Sequence, residues 1–249
     1  MIYFVGAGAG DPELITLKGY RLLGEADLVI YAGSLVNPKL LDYCKKEATI
    51  ENSAGMDLDT IVRLMVEADK QGKTVVRLHT GDPSLYGAIG EQMEKLLQAG
   101  VDFEIIPGVS SFLAAGAALR REFTVPDGTQ TVILTRLAGR TPVPETERLR
   151  ELARHKATMA IFLSVGMIDS VVEELGSGYG PETPVAVVEK VSWPEERIIH
   201  GKLKDLAKLV KEAGITKTAL IFVGEFLTVS GLSKLYDKGF SHGYRKARE

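Results

Sequence analysis

One cysteine, Cys44, in 249 residues excludes an internal disulfide and leaves no set of thiolates to bind a metal. The four histidines, His79, His155, His200 and His242, show no metal-ligand spacing, so no metal site is expected. Long apolar runs are also missing. The opening run Ile2-Tyr3-Phe4-Val5 is cut off by glycine, too short for a membrane span or a signal core. Nor is there an excess of positive charge: 30 Lys and Arg stand against 33 Asp and Glu, a net charge of −3 that opposes general nucleic-acid binding. No nucleophile elbow, Walker loop or Ser/His/Asp set appears, so covalent hydrolysis and phosphoryl transfer lack residues to carry them. These absences leave a chain suited to the reducing cytoplasm, with a small-molecule partner and neither nucleic acid nor membrane. Its 45% apolar content is enough for one large domain or two ordinary ones.

What is present is organised around Val75-Val76-Arg77-Leu78-His79-Thr80-Gly81-Asp82-Pro83-Ser84-Leu85-Tyr86-Gly87. The apolar and β-branched start reads as a buried strand, and Gly81 lets the backbone approach a ligand. Asp82 fits a helix N-cap with Pro83 at the first helical position. It also suits an acceptor for a ligand amine or hydroxyl, and the two roles are compatible. A shorter echo, Ile2-Tyr3-Phe4-Val5 followed by Gly6-Ala7-Gly8-Ala9-Gly10-Asp11-Pro12-Glu13-Leu14, opens the chain. Loops at the carboxyl ends of strands bind ligands in open α/β sheets, so both loops are expected to line one pocket. On residue type alone Tyr86 is a core residue, and His79 is either a hydrogen-bonded neighbour or an acid or base.

Periodicity fills in the rest. Helices are expected over 16–25, with Leu17, Tyr20, Leu22 and Leu23 on its apolar face, over 58–71 and over 85–99, with a short one opened by Asn37-Pro38. Strands are expected over 27–32 and 103–106, and Ser110-Ser111 caps a small-residue helix over 112–119. The break at 120–128 marks a boundary, giving α/β domains over 1–120 and 121–249. The second is expected to hold a mixed sheet with strands over 131–135, 159–163, 185–188, 197–200 and 219–223. Helices over 145–155, 167–175 and 203–213 lie between them, and the tail from 228 on is expected to pack only in part.

The glycine run at 6–10 invites a dinucleotide-binding reading, but charge opposes it. The third glycine of that motif falls on Asp11, whose carboxylate would repel a phosphate, and the second strand closes in Tyr31-Ala32-Gly33 without the acidic residue that holds a ribose.

Three motifs in register instead resemble the tetrapyrrole methylase family: Gly6 to Thr16, Thr80-Gly81-Asp82-Pro83-Ser84-Leu85-Tyr86-Gly87 and Ile106-Pro107-Gly108-Val109-Ser110-Ser111. The resemblance covers nearly the whole chain and implies two α/β domains with a cofactor cleft between them, assembled as a homodimer. Tyr31-Ala32-Gly33-Ser34-Leu35-Val36, Thr129 to Arg136, Gly139 to Glu145 and Ser241-His242-Gly243-Tyr244-Arg245-Lys246 resemble the members that methylate C-11 of precorrin-4 or cobalt-precorrin-4 in cobalamin biosynthesis. The resemblance implies S-adenosylmethionine as methyl donor, contacted by Ala9, Thr80, Gly81, Asp82, Pro83, Tyr86, Ser110 and Ser111. Leu163, Ala186 and Ala219 close around its adenosine. Gly8, Gly10, Asp11 and Pro12 then face the tetrapyrrole, and Asp11 is the candidate catalytic base. The family usually has proline where this chain has Ala9. Arg120, Arg121, Arg136 and Arg140 are candidates to pair with substrate carboxylates. Two alternatives stay open: another methylase of the family, and a silent tetrapyrrole carrier.

Overall fold

The computed structural model describes residues 1–246, with all of their side chains except those of Ser34 and Lys234. The chain divides into two units, Met1–Ala115 with Lys190–Glu196, and Gly116–Glu189 with the chain from Arg197 on. The expected single boundary after 120 differs from this division, which falls inside a helix and returns a later turn to the first unit.

In the first unit β1 (Ile2–Gly6), α1 (Leu17–Glu25), β2 (Leu28–Tyr31), β3 (Thr49–Asn52), α2 (Leu58–Lys70), β4 (Val75–His79), α3 (Gly90–Gln98), β5 (Phe103–Ile106) and the first half of α4 (Ser111–Leu119) follow one another along the chain. The strands form one parallel sheet of order β3-β2-β4-β1-β5. Its two faces follow from alternation along each strand. Ile2, Phe4, Leu28, Ile30 and Val75 pack under α2 and α3, whereas Val5, Val29, Val76 and Leu78 pack against Leu22 and Leu23 of α1. The neighbours β1 and β4 therefore send their following helices to opposite faces, and a crevice opens at their carboxyl ends.

Three local expectations change. The helix expected over 85–99 begins only at Gly90, because Tyr86 and Ala88 hold φ of 58° and 50°, outside a right-handed helix. Asp82 thus caps a turn rather than a helix, accepting from Ser84 N at 2.9 Å. On α1 the buried residues are Gly19, Leu22 and Leu23, while Leu17 and Tyr20 face outward. The edge strand β3 was not legible, since Thr49-Ile50-Glu51-Asn52 has no apolar alternation.

In the second unit β6 (Val132–Arg136), α5 (Leu149–Ala153), β7 (Thr158–Phe162), α6 (Ile168–Leu175), β8 (Pro184–Glu189), β9 (Arg197–Lys202), α7 (Leu206–Glu212) and β10 (Ala219–Val223) build a sheet of order β6-β7-β10-β8-β9. Only β6 and β7 are parallel, so the mixed sheet is as expected. The helix expected over 145–155 is split at Arg148, whose ψ of 141° leaves a 3₁₀ turn before α5. Met159, Ile161, Val185, Val187, Ile221 and Val223 bury one sheet face under α5, α6 and α7. On the other, Phe222 stacks on Phe123 at 5.7 Å, with Phe226 beside both. Among the described residues from 228 on, the regular structure is the 3₁₀ turn Lys234–Tyr236 and a bridge between His242 and Arg245; the last three residues of the tail, 247–249, lie outside the described residues.

Phe222 is fully buried and shared by two aromatic partners, so Phe222→Ala is expected to cost about 3–5 kcal/mol. Urea unfolding of the variant checks this.

Candidate active site

The loops leaving β1, β4 and β5 meet through their backbones. Ala7 N donates to His79 O at 2.7 Å, Gly8 N to Gly81 O at 3.3 Å, and Gly81 N back to Gly8 O at 2.8 Å. A Cβ on Gly108 would lie 2.2 Å from Gly81 O and 2.7 Å from Gly6 Cα, so three backbones cross where no side chain fits. Asp82 locks the junction. Its Oδ2 accepts from Gly108 N at 2.9 Å, and its Oδ1 accepts from Ser84 N at 2.9 Å and from Ser84 Oγ. Burial alone would raise the Asp82 pKa, but these donors together hold it below the ordinary value.

Behind the β4 loop lies a buried polar set. Arg77 donates from Nε to Gln92 Oε1 and from Nη1 to Ile30 O, each at 3.1 Å, and burial pushes its pKa down to about 10. Gln92 Nε2 donates to Ala88 O at 3.1 Å, which holds the left-handed Ala88 close behind Tyr86. His79 is 4% exposed, its Nε2 has no hydrogen-bond partner among the described residues, and burial with the nearby Arg77 charge pushes its pKa down to about 3. It stays neutral at physiological pH and is no proton donor there.

The first loop has its own restraints. Asp11 accepts from Glu13 N at 2.9 Å and opens the 3₁₀ turn Pro12–Leu14, the same two-residue turn that Asp82 makes with Ser84. Gly10 O accepts from Asn37 Nδ2 at 2.7 Å, and Asp11 N donates to Ser192 Oγ at 3.0 Å.

Of the residues named from sequence, Gly8, Ala9, Gly10, Asp11, Pro12, Thr80, Gly81, Asp82, Pro83, Tyr86, Ser110 and Ser111 all belong to these three loops of the first unit. Thr80 and Tyr86 are exposed, and Ser110 is buried at the start of α4, its carbonyl accepting from Leu113 and Ala114. Leu163, Ala186 and Ala219 lie in the second unit. Leu163 is exposed at a φ of 53° just past β7. Ala219 packs on the helix-covered sheet face, whereas Ala186, opposite Phe222, turns its side chain to the other face, so the two methyl groups do not share one surface. Arg136 gives its donors to the carbonyls of Leu137, Thr141 and Pro142, while Arg120, Arg121 and Arg140 are exposed. Sequence reasoning missed Gln92, Ser192 and Trp193. A solitary tryptophan beside proline in a predicted turn was the one available signal.

The family model for tetrapyrrole (corrin/porphyrin) methylases matches residues 1–207. The chain is 61% identical over 251 aligned positions to the cobalt-precorrin-4 C(11)-methyltransferase of Methanocaldococcus jannaschii, covering all of this chain and 97% of that protein. It is 47% identical to the precorrin-4 C(11)-methyltransferase of Pseudomonas aeruginosa, covering 98% of each. Among solved structures, a cobalt precorrin-4 methyltransferase superposes with a TM-score of 0.89 at 50% identity, over 92% of this chain and 96% of that one. A uroporphyrin-III C-methyltransferase from Thermus thermophilus, solved with S-adenosylhomocysteine, superposes at 0.76 and 33% identity, over 91% of this chain and 98% of that one.

One part of the pH dependence of stability follows from His79. Its pKa lies below the ordinary 6.5, so its contribution is fully present above that value and is lost as pH falls from there toward 3. Urea unfolding from pH 7 to pH 4 is expected to show a smaller stability loss for His79→Phe than for wild type. Equal slopes would place the proton uptake elsewhere.

Proposed function

Because the chain belongs to the tetrapyrrole (corrin/porphyrin) methylase family, we propose that it transfers a methyl group from S-adenosylmethionine to C-11 of cobalt-precorrin-4 or precorrin-4. The observation that carries this reading is the 61% identity over the whole chain to a protein named for that reaction. The loop junction supports it. Small residues and exposed side chains at the carboxyl ends of β4 and β5 suit a flat ligand with a polar tail, and the N-terminus of α4 suits its carboxylate.

The cofactor supplies an electrophilic methyl on a positively charged sulfur that brings its own leaving group. The protein's part is alignment of that methyl with the nucleophilic ring carbon. Thr80, Gly81, Asp82, Pro83 and Tyr86, with Ala9, Ser110 and Ser111, hold the cofactor in this proposal. Both oxygens of Asp82 already accept internal hydrogen bonds, so its part is to set the shape of the loop. Gly8, Gly10, Asp11 and Pro12 face the tetrapyrrole. As the carbon–carbon bond forms, the carbon–sulfur bond breaks with its electron pair on sulfur, and the ring must give up a proton. Asp11 is the proposed acceptor. Arg120, Arg121 and Arg140, exposed and with no ion pair among the described residues, are the proposed partners of substrate carboxylates. Among the described residues, no helix is long and apolar enough to cross a membrane. A cytoplasmic homodimer completes the proposal, its support being the family resemblance.

Isothermal titration with S-adenosylhomocysteine tests the cofactor site. Asp82→Ala is expected to weaken binding at least tenfold, because Gly108 N loses its acceptor and the loop its brace. A folded wild-type protein that neither binds nor methylates cobalt-precorrin-4 would contradict the proposal.

A further inference from the structure

The peptide between Gly10 and Asp11 is held on both sides. Its carbonyl accepts from the buried Asn37, and its N–H donates to Ser192, 181 residues away in the turn that joins β8 to β9. That turn, Lys190–Glu196, is counted with the first unit although the strands on either side are not. It is built at some cost: Lys190 and Ser192 hold φ of 46° and 61°, a region that side chains other than glycine or asparagine disfavour. Internal bonds brace it, with Ser192 N donating to Glu196 Oε2 at 2.8 Å and Trp193 N to Lys190 O at 3.0 Å. The Trp193 indole then stands against Gly10 so closely that a Cβ there would lie 2.2 Å from its Cδ1. Gly10 is thus the only residue type that admits the ring.

We infer that Ser192 and Trp193 are positioning residues for Asp11: the β8–β9 turn fixes the plane of the Gly10–Asp11 peptide and with it the direction in which the Asp11 carboxylate is presented to the tetrapyrrole. The inference rests on the methyltransferase reading. The hydroxyl and indole of this turn and the Asn37 amide of a second segment act on one peptide, which a turn needed only to join two strands does not require. The effect is confined to the substrate loop, because Thr80, Gly81, Asp82 and Ser110 make no hydrogen bond to the turn among the described residues. A two-residue turn between antiparallel strands would be the simpler connection, and the longer one is kept where it meets Asp11.

Ser192→Gly is the informative variant, since glycine accepts the left-handed backbone while the acceptor for Asp11 N is removed. Ser192→Asn is its rescue, because asparagine tolerates that backbone and keeps an acceptor oxygen. Methyl transfer to cobalt-precorrin-4, S-adenosylhomocysteine affinity by calorimetry and Tm are measured for each. Ser192→Gly is expected to lose roughly tenfold in kcat/KM for the tetrapyrrole, the size of one hydrogen bond to a reacting loop, with cofactor affinity within about twofold of wild type and Tm retained. Ser192→Asn is expected to recover most of that loss. A wild-type kcat/KM in Ser192→Gly overturns the inference, and so does a parallel loss of cofactor affinity and Tm, which marks a purely structural turn. Wild-type protein that binds no S-adenosylhomocysteine and transfers no methyl group overturns the function and this inference together, and is seen before any variant is compared.

Discussion

The contact on which the site depends is the crossing of three backbones at Gly6, Gly81 and Gly108, closed by the Asp82 carboxylate. A side chain at Gly6 or Gly108 would push the β1, β4 and β5 loops apart, and the crevice that the sheet topology opens would lose its floor. The parallel order β3-β2-β4-β1-β5 determines where a ligand site can lie, and the glycines determine how close its walls come. Asp82 adds a charge that is half-buried yet fully engaged, so the loop holds its form without drawing on whatever binds there.

Beneath this junction the protein tolerates an expensive arrangement. Arg77 is buried with neutral partners, and the histidine two residues on stays uncharged beside it. Breaking a buried charge set is costly, so Arg77 and Gln92 give the left-handed turn behind Tyr86 a single conformation. A sheet end that carries ligand loops on a rigid polar base differs from one that carries them on packing alone: its geometry is directional.

Much of this was legible from residues 1–119. Strands with near-continuous apolar character, the Gly-Asp-Pro loops and the Asn37-Pro38 opening all reflect local physics, and local physics is what sequence patterns record. The helix expected at 85 failed because Tyr86 and Ala88 take positive φ where Gln92 Nε2 holds the Ala88 carbonyl, a contact that periodicity does not contain. β3 failed for the opposite reason: an edge strand of polar residues gains its place from backbone pairing with β2 alone. For the candidate site, membership of the loops was readable, whereas the partners of Asp11 were not, because Ser192 is distant in sequence and sits in a turn with no periodicity. The resemblance of three motifs to one family supplied the chemistry that residue types left open.

Trp193 is the single tryptophan of the chain, and its ring edge faces the backbone of Gly10. The protein therefore carries one native indole fluorophore, and it is seated against the loop proposed to meet the tetrapyrrole. Emission excited near the red edge of tyrosine absorption reports on that one contact without label or mutation. Any event that moves the Gly10–Asp11 peptide, whether ligand arrival, partial unfolding or a change of solvent, becomes an optical signal with a known structural address.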